Sequence, residues 1–159
     1  SISNEENYTR LYLPSKNTEI IMSKSLMIVH VEPLFGKLHH LADSIKDHSV
    51  EYSTIINVHT GDEFGDGSQF RSIEQIATRD ECWLWGYYPN DEYDVEGDSY
   101  IRVSSHHEYA EIPEWMRNLD LSDEYVLVGG CESECLRDVF EIMKHLNYNV
   151  SINAKYVYS

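Results

Sequence analysis

Between positions 123 and 146 the apolar pattern changes period once, and that change constrains the fold more than any other stretch. Tyr125-Val126-Leu127-Val128 is a short apolar run rich in β-branched residues, and Gly129-Gly130 stops it. From Cys135 onward, Leu136, Val139, Phe140, Ile142, Met143 and Leu146 recur at helical spacing. A strand, a tight glycine turn and a helix are therefore expected in succession. In an open α/β sheet, ligands bind in the crevice outside the carboxyl ends of the strands. Cys131 and Cys135 are expected beside such a crevice.

The rest of the chain supplies more strands of the same kind. Residues 26–31, Leu-Met-Ile-Val-His-Val, form a near-continuous apolar run, the pattern of a strand covered on both faces in a parallel sheet. Leu38, Leu41, Ala42 and Ile45 are spaced along one face of a helix. Residues 53–58 read as a second strand, followed by a flexible polar loop at 59–68 that carries Gly61, Gly65 and Gly67. Residues 70–77 suit one or two helical turns and 100–103 a third strand. Residues 113–119 suit a short helix with proline in its first turn, and 149–153 a fifth strand that Lys155-Tyr156-Val157-Tyr158 extends. The alternation predicts a doubly wound α/β domain over 25–159, with a mostly parallel sheet flanked by helices. Residues 1–24 read as an N-terminal arm or hairpin. Its β-prone run of Tyr8, Leu11, Tyr12 and Leu13 is followed by a Pro14-Ser15-Lys16-Asn17 turn.

Composition narrows the function classes. The chain has 28 acidic against 12 basic residues, a formal net charge of -16, so direct contact with nucleic acid or an anionic membrane is disfavoured. No apolar run approaches the ~20 residues of a membrane helix, and no basic-then-apolar leader opens the sequence. Three cysteines, Cys82, Cys131 and Cys135, do not make a disulfide framework, which favours a cytoplasmic or other reducing intracellular setting. Cys82 is expected to be a packing residue. Trp83, Trp85, Tyr87, Tyr88 and Tyr93 lie in an aromatic, acidic excursion at 82–99, and Trp and Tyr are enriched at interface cores. Trp83, Trp85, Tyr87 and Tyr88, with Tyr8, Leu11, Tyr12 and Leu13, are the interface candidates for a protein partner or a second copy.

Three stretches together resemble the isochorismatase-like cysteine hydrolases, which include the nicotinamidases. Residues 26–35 resemble the family's first strand, where an apolar run leads into Asp-Met-Gln and then Phe. Residues 100–109 resemble its central strand and following loop. Val128-Gly129-Gly130-Cys131-Glu132-Ser133-Glu134-Cys135-Leu136 resembles its Gly-x-x-Thr-x-x-Cys-Val turn. The resemblance implies a three-layer Rossmann-like fold, places the family's nucleophile on Cys135, and implies a cis peptide at Gly130-Cys131. It places the family's aspartate on His30 and its lysine on Val103. Arg102, one residue away, points to the opposite face of a strand. The resemblance also implies a further helix and strand after the fifth strand, where this chain reaches Ser159.

Two of the three catalytic positions thus carry different chemistry. A cysteine in the first turn of a helix gains thiolate character from unpaired N–H groups, but Glu132 and Glu134 flank that turn and oppose it. The expected reading is a catalytically degenerate isochorismatase-like domain. Its role would be that of a binding or structural component of a homo-oligomer or a larger assembly such as a virus particle. The rival is an amide hydrolase with Cys135 as nucleophile, His30 as base and the Gly130 and Cys131 N–H groups as oxyanion site. A third reading, an acidic inhibitor on a basic partner, rests on charge alone. Asn57-Val58-His59 stands where some family members hold a metal, but asparagine is a poor ligand. Neither a metal nor another cofactor is expected. The adjacent pairs His39-His40 and His106-His107 are expected to be solvated, with their side chains pointing apart.

Overall fold

The computed structural model describes residues 23–62, 65–84, 87–88, 99–103 and 108–159. The apolar run at the start of the domain forms β1 (Lys24–Val29), which pairs in parallel with β2 (Thr54–His59). Its register sets Met27 opposite Ile56 on that side and opposite Leu127 on the other. The 26–31 reading of a doubly covered strand holds, since Leu26, Met27, Ile28 and Val29 are all fully buried.

Five strands make the main sheet. With β3 (Arg79–Cys82), β7 (Glu124–Gly129) and β8 (Asn149–Val157), the order is β3-β2-β1-β7-β8, and every neighbouring pair is parallel. The two faces carry different helices. Leu26, Ile28, Ile55 and Val128 pack with Ala42 and Ile45 of α1 (His39–His48) and Ile73 of α2 (Arg71–Ile76). Met27, Val29, Ile56 and Leu127 pack with Met116 of α3 (Glu114–Arg117) and with Leu136, Val139, Ile142 and Met143 of α4 (Cys135–His145). The architecture is a three-layer α/β fold. No helix among the described residues is long and apolar enough to cross a membrane.

Two elements depart from the expected order. Residues 100–103 do form a strand, β5 (Tyr100–Val103), but it lies outside the main sheet. It pairs antiparallel with β6 (Glu108–Glu111), which also pairs with β4 (Tyr87–Tyr88). The alternation in β5 explains this, because Ile101 and Val103 are buried in the α4-side core while Arg102 is exposed, with its guanidinium 5.9 Å from the Tyr109 ring centroid. A strand with one wet face suits a small antiparallel sheet better than the doubly covered parallel one. The place beside β2 is taken instead by β3, whose polar sequence Arg-Asp-Glu-Cys gives no apolar signal. Backbone hydrogen bonds hold it at the edge: Thr78 N–H donates to Ile55 O and Trp83 N–H to His59 O.

Three sequence expectations are corrected by burial and geometry. Trp83 is 3% exposed within the chain itself, so its ring is core and not a surface for a partner. Cys82 is exposed on the edge strand, whereas packing was expected. His39 and His40 are both exposed, but their ring centroids are 4.2 Å apart, so the side chains converge at the start of α1. Tyr8, Leu11, Tyr12 and Leu13 of the arm, Trp85, Tyr93 and His106-His107 lie outside the described residues. Of Tyr87 and Tyr88 only the backbone is described.

Candidate functional site

The carboxyl edge of β1 and β7 gathers the residues singled out by sequence. His30 follows β1 directly in the left-handed region, at φ 54, and its side chain is fully buried. The imidazole stacks on Phe35 at 5.4 Å and on Trp83 at 5.9 Å. Nε2 lies 2.8 Å from Trp83 O. Since a carbonyl only accepts, Nε2 carries the proton and the ring is the Nε2–H tautomer. Burial lowers the imidazole pKa to about 4, against the raising effect of the Trp83 carbonyl and with a small lowering by His59. His30 is a neutral, doubly stacked core histidine.

The glycine turn is closed around this histidine. Gly129 has φ 106, and an added Cβ would stand 2.1 Å from Val29 O, so only glycine lets β7 end so close to β1. The Gly130-Cys131 peptide is cis, as the resemblance implied. Gly130 N–H donates to Val29 O at 3.0 Å, which removes it from the oxyanion role that the hydrolase reading gave it. Tyr158, a residue the sequence reading mentions only as part of the strand extension, covers the other side of the turn. Its N–H donates to Gly129 O, its carbonyl accepts from Glu132 N–H, and its hydroxyl donates to His30 O at 2.8 Å. A Cβ on Gly130 would stand 2.6 Å from Tyr158 O. Its distance from the turn in sequence hides this role, and the aromatic alternation of Tyr156 and Tyr158 is the one signal available.

Cys135 opens α4 and is only 9% exposed. Burial pushes its thiol up to about 12, and the carboxylates of Asp138 and Glu134, then the Cys131 thiol, add to the shift. Asp138, one turn further along the helix, is itself fully buried. These charges have the sign that opposes a thiolate, and they outweigh the helix N-terminus. At the position matched to the family's lysine, Val103 is a fully buried apolar residue. The structure brings His30, Gly130, Cys131 and Cys135 to one edge of the sheet and surrounds them with apolar and acidic groups.

Next to this closed turn is a small cavity of about 250 Å³, lined by Glu32, Leu34, Thr60, Gly61, Asp66 and Ser68 among others. Neither His30 nor Cys135 lines it. Glu32 is 1% exposed and accepts from Thr60 N–H at 3.1 Å and from Thr60 Oγ1 at 2.8 Å. Burial raises its carboxyl pKa, and the Thr60 bonds pull the other way.

The second edge site lies beyond β2 and β3, around Asn57 and His59. Asn57 Nδ2 donates to Gln69 Oε1 and to Asp80 Oδ1, each at 3.1 Å, and His59 Nδ1 accepts from Gly61 N–H at 3.0 Å. Nδ1 of His59 is so engaged, and an asparagine amide beside a single histidine is a poor donor set for a transition metal. Among the described residues no group of three or more His, Cys, Asp or Glu side chains converges as a metal-binding set. Comparison of the chain with family models, with curated proteins and with solved structures finds no match.

Proposed function

We propose that this chain is a catalytically degenerate α/β domain of the isochorismatase-like type, working as a binding or structural component of an oligomer or larger assembly. The observation that carries the reading is the state of Cys135, a buried thiol held near 12 with Asp138 and Glu134 beside it. A nucleophilic cysteine needs thiolate at working pH and a cation or base to support it. Here the position of the supporting lysine is occupied by buried Val103, and Gly130 and Glu132 have their N–H groups bonded to Val29 O and Tyr158 O. Of the two donors in the hydrolase reading, Gly130 N–H is thus engaged, so an oxyanion forming at this turn loses one of them. The acidic surface and the aromatic residues of the arm and of 85–88 then serve contact with a protein partner.

Two measurements on the full chain test the reading. Sedimentation equilibrium is expected to show self-association, or binding to a partner, that weakens when Tyr8 and Tyr12 are both changed to Ser. A panel of small primary amides is expected to give no turnover that Cys135→Ala abolishes. Amide hydrolysis that disappears in Cys135→Ala, with the fold retained by circular dichroism, would overturn the proposal.

A further inference from the structure

The small antiparallel sheet and α4 form a groove that the reading above leaves without a role. It encloses about 760 Å³, with β5 and Tyr109 of β6 on one side and the last turns of α4 on the other. Its charge runs against that of the whole chain. Arg102 comes from β5 and Lys144 and His145 from α4, and Glu141 is the one carboxylate among the described residues of the lining. The formal net charge is -16, and two other clefts carry carboxylates and no lysine or arginine in their lining. Arg79 is ion-paired with Glu81, whereas neither Arg102 nor Lys144 is ion-paired among the described residues. The lining also has an apolar part: Ile101 is buried, Phe140 is half-buried against the core, and the Arg102 guanidinium lies over the Tyr109 ring.

The backbone of β5 supplies an observation independent of these side chains. β5 stands at the end of its sheet, with β6 as its one neighbour among the described residues. Ile112 N–H donates to Ser99 O at 2.9 Å, which fixes the alternation of the antiparallel ladder. Ile101 and Ala110 then exchange hydrogen bonds, while Arg102 and Tyr109 stand opposite each other without them. The N–H and C=O of Arg102 therefore point away from β6. An edge of this kind is a template for one more strand. Arg102 joins that edge to the groove, because it is also a lining residue.

We propose that this groove binds an extended acidic segment of a partner protein, which adds to the β5 edge at Arg102 and sets its carboxylates on Arg102 and Lys144. Side chains alternate along a strand, so the segment that fits carries acidic residues at every second position and apolar ones between them, for Ile101 and Phe140. Opposite charges on neighbouring strands attract and like charges repel. A second copy pairing edge to edge through the same β5 is therefore disfavoured, since Arg102 would meet Arg102. A single-stranded nucleic acid would also find cations and aromatic rings here, but a net charge of -16 repels a polyanion along its whole length. A short segment brings only the carboxylates that the groove neutralises. The inference adds a surface and a partner chemistry to the binding reading, and it does not depend on whether Cys135 is catalytic.

The test is a heteronuclear NMR titration of the full chain at constant ionic strength. The probes are the acetylated peptide amide Val-Glu-Val-Glu-Val-Thr, its glutamine counterpart, a copy N-methylated at two consecutive central residues, and hexathymidylate. The expected result is saturable shifts of the Arg102 and Lys144 amides with the acidic peptide, and none with the N-methylated copy, which cannot donate along the edge. Arg102→Gln combined with Lys144→Gln should weaken binding about tenfold. Lys46→Gln, on α1 at the other face of the sheet, should leave it unchanged. Arg102 and Lys144 are both exposed, so the fold of the double variant is checked by the unshifted remainder of its spectrum. Equal binding of the glutamine peptide or of the N-methylated copy, tighter binding of hexathymidylate, equal weakening by Lys46→Gln, or shifts that never saturate would overturn the proposal. So would shifts of the same amides on raising the protein concentration alone, which would assign the groove to a second copy.

Discussion

Two neighbouring parts of one sheet edge are built to opposite ends. At the ends of β1 and β7, Gly129 touches Val29, Tyr158 covers Gly130, and His30 and Cys135 are buried. At the ends of β2 and β3, glycines at φ 75 and φ 76, Gly61 and Gly67, shape a loop that leaves a cleft lined by Asp62, Asp66, Glu74 and Asp80. Both lie where ligands bind in parallel α/β sheets. A motif marks a position, while access and electrostatics decide whether chemistry happens there. The residues that resemble a catalytic triad are at the closed end, and the open end carries Asn57 and His59, which the resemblance matches only to a metal site, among carboxylates it did not point to.

The largest expected effect breaks the closed end directly. Gly129→Ala forces a Cβ into Val29 O at a φ that alanine resists, and is expected to cost about 4 kcal/mol or more. Chemical denaturation reads it, and a cost under ~1 kcal/mol would mean that the β1–β7 approach is not tight.

His30 sharpens the same comparison through pH. Its folded pKa of about 4 lies below the ordinary 6.5, so the unfolded chain takes up the proton first. The stability contributed by neutral His30 is fully present above about pH 6.5 and is lost as pH falls towards 4. The difference in unfolding free energy across that window is expected to be about 3 kcal/mol. His30→Asn keeps a residue that tolerates the left-handed backbone and should remove this slope. Denaturation curves between pH 4.5 and 7 give the answer, and equal slopes in both proteins would place the histidine in water.

At the open end the effect is smaller. Asp80→Ala removes one of the two acceptors of Asn57 Nδ2, and is expected to cost about 1 kcal/mol. Thermal unfolding of the variant checks it. A loss as large as that of Gly129→Ala would mean that the two ends are equally rigid.

The parallel sheet was legible because its central strands carry the signal that burial demands. The run from Leu26 to Val29 and the run from Tyr125 to Val128 are apolar throughout, and helix α4 shows its period plainly. Strand β3 was not legible. Its four residues sit on the edge, are held by backbone bonds, and need no apolar side chains. Strand β5 was legible as a strand but not in its sheet, because four residues with one buried face do not reveal the partner they pair with. At the site, the sequence pointed to Cys135 and His30 and to the adverse charge of Glu134. It did not reveal that Tyr158 would cover Gly130, or that Asn57 Oδ1 would be buried with no hydrogen-bond partner among the described residues, since both depend on contacts distant in sequence.

The closed end is defined most directly by the acidity of one thiol. Alkylation of the full chain by iodoacetamide across pH, with Cys135→Ala as the blank for Cys82 and Cys131, isolates the Cys135 rate. A thiol that stays protected through pH 9 in the folded protein, and becomes reactive on unfolding or in Tyr158→Ala, is the predicted result. A Cys135 thiolate that titrates well below the ~8.5 of a free cysteine, and loses that acidity in His30→Asn, would contradict it and return the closed end to catalysis.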